Sequence, residues 1–200
     1  MSKNNEWGAV AYLTQSIYGR CINSTTCTEI GINNNSSYIT GYGAPPGSDY
    51  NASNGAYNTS LGKDASTTKN IYGIYDMSGG ALEYVMGVLA DPSGKPRSGQ
   101  NSSFNSGFTG MLDDGTKYTG IAFPDSKYYN LYTGTTYTGH ALTETKNWYS
   151  DGARFVVSNY PWFKRGGYYY DGAGAGVFDF GISIGNSGYN NSSRSVISNK

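Results

Sequence analysis

Tyr72-Gly73-Ile74-Tyr75-Asp76-Met77-Ser78-Gly79-Gly80-Ala81-Leu82-Glu83-Tyr84-Val85-Met86 joins a turn to a core element. Asp76, Ser78, Gly79 and Gly80 are turn chemistry: Asp and Ser hydrogen-bond main-chain groups two residues on, and Gly takes a positive φ without steric cost. After the turn, Leu82, Tyr84, Met86 and Val88 alternate with Glu83 and Gly87, a period of two that predicts a strand with its large apolar side chains on one face. A short helix with Leu82, Val85, Met86 and Leu89 as its stripe is the competing assignment.

Around this stretch lie 200 residues, enough for one domain with a real core. Hydrophobic residues make up 37% and charged residues 14%, while Gly (29) and Tyr (20) are abundant, which excludes a helical bundle. Disorder predicts few aromatics and a high net charge, and this chain has neither. The composition predicts an ordered, loop-rich domain.

Lys+Arg (14) balances Asp+Glu (14), so no excess positive charge is present for a nucleic-acid backbone or an anionic membrane. Nucleic acid is therefore not an expected partner. No apolar run approaches the roughly 18 residues of a membrane span, so direct insertion by this segment is not expected either. Residues 1–20 lack the basic start and apolar centre of a signal peptide. A Tyr/Asn/Ser/Gly/Thr surface nonetheless points to the extracellular space, the cell surface or a phage particle, with an N-terminal extension before Met1 supplying export or an anchor. Cys21 and Cys27, the only cysteines, sit in a polar loop and fit a small disulfide of an oxidising compartment. A metal site would need further ligands and a redox pair a closer spacing.

In chain order, Trp7, Val10, Ala11 and Leu13 recur at helical spacing behind Asn4-Asn5-Glu6, predicting a helix over 5–16 with an Asn N-cap and Gly19 as its end. Residues 20–69 read as irregular loops with little core of their own. Asn23-Ser24-Thr25 and Asn58-Thr59-Ser60 match the glycosylation triplet, as chance allows in such a composition. Residues 91–120 return to loop chemistry with an Asp113-Asp114-Gly115 turn, and Ile121–Phe123 and Tyr128–Tyr132 are short strand candidates. His140 has no nucleophile beside it in sequence and reads as a hydrogen-bonded structural histidine. Ser150-Asp151-Gly152 turns into a buried Phe155-Val156-Val157. Val177, Phe178 and Phe180 in one strand and Val196 and Ile197 in another are expected to be neighbouring core strands, leaving Tyr168–Tyr170 and Tyr189–Ser192 in loops.

Glu6-Trp7 with the helix after it, Gly73-Ile74-Tyr75-Asp76-Met77-Ser78-Gly79 followed by Glu83, Arg165-Gly166-Gly167, and Ser193-Arg194-Ser195-Val196 together resemble the formylglycine-generating-enzyme (sulfatase-modifying-factor) family, over nearly the whole chain. The resemblance implies a single α+β domain of C-type-lectin-like fold: a small antiparallel sheet, one or two helices, much irregular loop, and termini near each other. Trp7-Gly8-Ala9-Val10-Ala11-Tyr12-Leu13, Met77-Ser78-Gly79-Gly80 and Tyr160-Pro161-Trp162-Phe163 are more similar to a non-enzymatic branch, found as C-terminal domains of bacterial pilin-like, surface and phage-associated proteins.

Departures from the enzyme pattern set the functional expectation. No cysteine follows Cys27, so the copper-binding pair of the oxidases is missing, and thiolates are what a soft copper site requires. His140 alone does not supply the iron ligands of the other enzyme branches. The enzymes' Gly-Asn-x-Trp-Glu-Trp has become Gly80, Leu82 and Tyr84 around Glu83. The expectation is thus a non-catalytic domain without a cofactor. A structural calcium ion is compatible with the resemblance, with no metal ligands assigned.

Its partner would be an extracellular protein or glycan held by Tyr168, Tyr169, Tyr170, Asp171, Tyr189, Asn190 and Asn191, since Tyr offers rigid contact area and Asn adaptable hydrogen bonds. The competing assignment packs these tyrosines among themselves. Two alternatives remain: a hypervariable receptor-binding protein of a diversity-generating retroelement, varying at 168–172 and 186–193 on the same scaffold, and a degenerate oxidoreductase of the enzyme family. Trp7, Tyr75, Met77, Leu82, Trp162, Phe178 and Val196 are the expected scaffold.

Overall fold

The computed structural model describes residues 1–37, 41–45, 57–97 and 125–197, with the backbone of 110–111 and 117–118. It is an α+β arrangement built on the strand β1, Leu82–Leu89. The turn before it is strained in the way its composition allows, with Asp76, Gly79 and Gly80 at φ of 60°, 74° and 68°.

Three segments share one edge of β1. β7 (Asn191–Ser193) pairs in parallel with its first residues, Lys3 bridges Met86, and β4 (Asn130–Tyr132) pairs in parallel with Gly87–Leu89. On the other edge β5 (Trp162–Arg165) runs antiparallel, with a register shift between Tyr84 and Val88, and β6 (Phe180–Ser183) lies beyond it. The ends of the chain meet on the shared edge, where the Ser2 amide donates to the Arg194 carbonyl at 2.9 Å. A separate two-stranded piece pairs β2 (Gly110–Met111) with β3 (Lys117–Tyr118).

The predicted strand is present and Met86 and Val88 of its predicted apolar face are buried, but residues of the opposite face are buried too. Val85 and Leu89 enter the main core, Leu82 and Tyr84 are half-buried, and Glu83 is 6% exposed. A buried ion pair explains the difference: the Glu83 carboxylate takes both Arg194 Nε and Nη2, so a charged residue occupies an inward position that alternation assigned to solvent. Arg194 also donates to the Tyr75 and Asp76 carbonyls and stands 5.4 Å from the Trp7 ring.

Helix α1, Asn4–Thr14, starts and stops earlier than expected. The residue before its first turn is Lys3 rather than Asn, and the Glu6 carboxylate accepts from the Lys3 amide at 2.7 Å. Gly19 lies beyond the helix, in a return over its last turn where a Cβ would stand 2.1 Å from the Leu13 carbonyl oxygen. The buried face is Asn4, Trp7, Gly8, Ala11 and Thr14, while Leu13 points outward. Trp7 is fixed by its ring N–H to the Val177 carbonyl at 2.8 Å.

Residues 20–69 contribute more core than their polar composition suggested. Ile30, Ile32, Tyr42, Ala44 and Ala65 are buried, Ile32 and Ala44 exchange two main-chain hydrogen bonds, and Ser60–Asp64 forms the short helix α2. Isolated Ile and Ala residues among Asn and Gly carry no periodicity, so nothing local announced them. Cys21 and Cys27 are joined by a disulfide, as expected.

Near the C-terminus the expected strand pair is displaced. Val177 and Phe178 are buried but precede β6, and β7 is the polar Asn191–Ser193, so Asn191 and Ser192 are strand and not loop. Val196 and Ile197 are 47% and 94% exposed, which removes Val196 from the scaffold. Val156 is buried and Val157 exposed. The strand expected within Tyr128–Tyr132 is β4; the Asp113–Gly115 turn and the Ile121–Phe123 strand lie outside the described residues.

Candidate functional site

The Ser78–Gly80 turn is a junction. Asn33 donates its amide to the Ser78 carbonyl (3.0 Å) and accepts from the Gly80 amide (2.8 Å), while the Gly79 amide donates to the Gly166 carbonyl (2.7 Å) and Tyr169 donates to the Gly80 carbonyl (2.8 Å). A Cβ on Gly79 would stand 2.4 Å from the Asn33 oxygen, so the close approach itself requires glycine there. The same turn that feeds β1 therefore brings the 33–36 loop and the tyrosine loop together.

Between them lies an open cleft of about 310 Å³, lined by Asn34, Asn35, Ser36, Tyr169, Tyr170 and Gly172. Consecutive side-chain turns shape its first wall: Asn33 Oδ1 accepts from the Asn35 amide and Asn35 Oδ1 from the Ser37 amide. The second wall is the tight turn Tyr168–Asp171, closed by the Asp171 amide on the Tyr168 carbonyl and the Tyr168 amide on Asp171 Oδ2. Asp171 thus uses one carboxylate oxygen to shape the loop.

The tyrosines divide into two kinds. Tyr168 and Tyr169 are half-buried with ring centroids 4.2 Å apart, whereas Tyr170 and Tyr189 are 83% and 92% exposed. Hydrogen bonding to Tyr169, then desolvation and Tyr189, raises the pKa of the Tyr168 hydroxyl. Asn190 and Asn191 act differently from their tyrosine neighbour. The Asn190 carbonyl accepts the Leu82 amide, and the Asn191 side chain donates to the Asn186 carbonyl and stands 3.5 Å from Lys164 Nζ, which fastens the second loop to the sheet. Tyr84, whose hydroxyl bonds Ser183 and the Asn186 carbonyl, holds the base of that loop.

Tyr168–Tyr170 and Tyr189 lie in loops as expected, whereas the Asn34–Ser36 wall of the cleft was not expected. Asn34-Asn35-Ser36 looked like every other Asn/Ser run, and only the Asn33 contact with Gly79 and Gly80 distinguishes it.

Three acidic side chains lie around and beneath the tyrosine loop. Asp179 is 8% exposed and accepts the Gly167 amide at 3.0 Å; Asp151 is 4% exposed and accepts the Phe178 amide at 2.9 Å. The charge of the Glu29 carboxyl acts on Asp151. Burial pushes all three carboxyls up, Glu29 to about 7 and Asp151 and Asp179 to about 8. Among the described residues no group of three or more His, Cys, Asp or Glu is placed to hold a metal ion.

His140 serves the backbone. Its Nδ1 is 2.9 Å from the Tyr132 hydroxyl and its carbonyl accepts from Arg165, a fully buried guanidinium that also donates to the Ala141 carbonyl and to Asn4 Oδ1. Those bonds hold His140 and Ala141 at φ of 61° and 52°.

No protein-family model, no curated protein and no solved structure matches this chain.

Proposed function

We propose that the chain is a non-catalytic ligand-binding or adhesin domain of C-type-lectin-like fold that presents its tyrosine- and asparagine-rich loops to an extracellular protein or glycan. The observation that carries this reading is the open cleft between Asn34–Ser36 and the Tyr169–Tyr170 loop, anchored through main-chain bonds to the Ser78–Gly80 junction. Exposed Tyr on a rigid support gives contact area at low entropic cost, and the neighbouring amides and hydroxyls give adaptable hydrogen bonds. The Cys21–Cys27 disulfide supports an oxidising location. Among the described residues no helix is long and apolar enough to cross a membrane.

The resemblance to the formylglycine-generating-enzyme family supports the fold assignment, and the lack of any cysteine after Cys27 supports the non-catalytic one. Screening the purified chain on glycan and protein arrays, followed by Tyr170→Ala and Tyr189→Ala on any hit, tests the proposal. Ligands whose binding is unaffected by both replacements would place the site elsewhere.

A second reading, the hypervariable protein of a diversity-generating retroelement, is favoured by one observation: Tyr170 and Tyr189 point outward from loops that are held by main-chain bonds and by other side chains. Such positions tolerate many side chains. Gene sequences from several isolates test it, and substitutions spread evenly over the chain would count against it.

A further inference from the structure

A second surface, which shares no residue with the tyrosine cleft, is apolar and framed so that it stays exposed. Helix α1 turns Trp7, Ala11 and Thr14 inward, which leaves Leu13 outside and Val10 at the boundary. Past its end the chain doubles back: Ser16 Oγ accepts the Tyr18 amide, and the Arg20 amide donates to the Thr14 carbonyl at 2.7 Å. The Arg20 guanidinium then donates to the Asp64 and Ser66 carbonyls, both at 2.9 Å, and so ties this return to the 66–74 loop. That loop is closed by the Thr67 amide on the Ile74 carbonyl and by the Ile74 amide on Thr67 Oγ1.

Between the two frames lies a groove of about 220 Å³, lined chiefly by Val10, Leu13, Tyr18, Tyr72 and Ile74. Its rim is solvated: Leu13, Tyr18 and Tyr72 are 57%, 79% and 88% exposed. Together with Ile74 these residues leave on the order of 600 Å² in water, the upper end of what a monomer shows in one apolar patch. Ile17 and Ile71, beside them in sequence and also exposed, raise this to roughly 800 Å², one partner's share of a standard interface. Because both frames are hydrogen-bonded in the single chain, covering the groove requires little further ordering.

Charge indicates what covers it. Residues 10–19 and 66–74 contain a single charged side chain, Lys69, so a strongly charged partner would find almost nothing to pair with. The whole chain has a formal net charge of zero, so two copies approach without net repulsion. The surface also holds both halves of a fit: a groove with room for an aromatic ring and, at its rim, two protruding tyrosines. A two-fold interface needs such self-complementarity, because the same patch must meet itself. We propose that this face is the interface of a two-fold homodimer, in which Tyr72 of each copy enters the groove beside Leu13 and Tyr18 of the other. The pairing uses no residue of the tyrosine cleft.

Sedimentation equilibrium of the full chain, from about 1 to 100 μM, tests it, with half-dimerisation expected within that range. The mass should rise from 21.5 kDa toward twice that value and respond only weakly to salt, as apolar contacts do. Tyr72→Ser and Leu13→Lys, both at positions exposed in the single chain, should each raise the dissociation constant at least about tenfold. Far-UV circular dichroism checks that both variants are folded. Tyr170→Lys, in the cleft, adds the same charge as Leu13→Lys and should leave association unchanged. Three outcomes overturn the dimer: a chain that stays monomeric throughout, association that survives both groove variants, or association lost equally in Tyr170→Lys. The first gives the surface to a different partner, and the last places self-association at the tyrosine loops.

Discussion

The main-chain amide of Tyr169 donates to the carbonyl of Gly80 at 2.8 Å, so the exposed tyrosine loop hangs from the turn that opens the central strand. Placement of the candidate site is then a property of that turn. Gly79 sits at its tightest point, with φ of 74° and the Asn33 backbone against it. Gly79→Ala is expected to cost on the order of 2 kcal/mol, from a strained φ plus the forced retreat of the 33–36 loop. Urea unfolding measures the stability loss; a variant as stable as the native chain would contradict the geometry.

Alanine replacements should sort the tyrosines from the core. Tyr170→Ala and Tyr189→Ala are expected to change stability by no more than about 0.5 kcal/mol, as exposed positions do. Trp7→Ala and Phe178→Ala should cost about 3 to 5 kcal/mol. Tyr168→Ala lies between, on the order of 1 kcal/mol, because its ring packs on Tyr169. Thermal melting of the set gives the order directly. Equal destabilisation by all three tyrosine changes would mean that the loop tyrosines are core and not display.

Arg194→Ala removes the partner of a carboxylate whose side chain is 8% exposed. An unpaired buried Glu83 is expected to cost on the order of 3 kcal/mol, and Glu83→Leu combined with Arg194→Leu should cost less than the sum of the single changes. A double-mutant cycle in urea reads the coupling. Strict additivity would show the pair to be inert.

Stability should fall as pH rises. Glu29, Asp151 and Asp179 hold protons in the folded chain, mainly because they are buried, whereas in the unfolded chain they lose them near pH 4. The folded state binds more protons between roughly pH 4 and pH 8, so unfolding becomes easier across that window. His140, lowered mainly by burial, acts in the opposite sense, as one group against three. Glu144, which its hydrogen bonds hold low against the effect of burial, matters only below about pH 4.5. Melting temperatures at pH 5.5 and 8.5 decide the matter, with the lower value expected at 8.5.

Much of the scaffold was legible because it rests on local chemistry. The Asp76–Gly80 turn, the strand after it, the Trp7 helix and the disulfide all follow from residue types a few positions apart. What was hidden depends on partners far away in sequence. Glu83 is inside because Arg194 meets it, Ile30 is core because the sheet covers it, and Asn34–Ser36 lines the cleft because Asn33 docks on Gly79. Val196 misled in the other direction, since an apolar pair near a chain end resembles a strand whether or not anything covers it.

The hydrogen bond between Ser2 and Arg194 has a consequence for biosynthesis. One edge of the central strand is completed by residues 2–3 and 191–194 alongside β4, so contacts of long sequence separation are needed before that edge is closed. Until the C-terminal segment leaves the ribosome, β1 presents open main-chain groups, a template for pairing with other chains. Chaperone dependence and aggregation during synthesis should therefore respond more to truncation after Asn190 than to any loop replacement at the tyrosine surface.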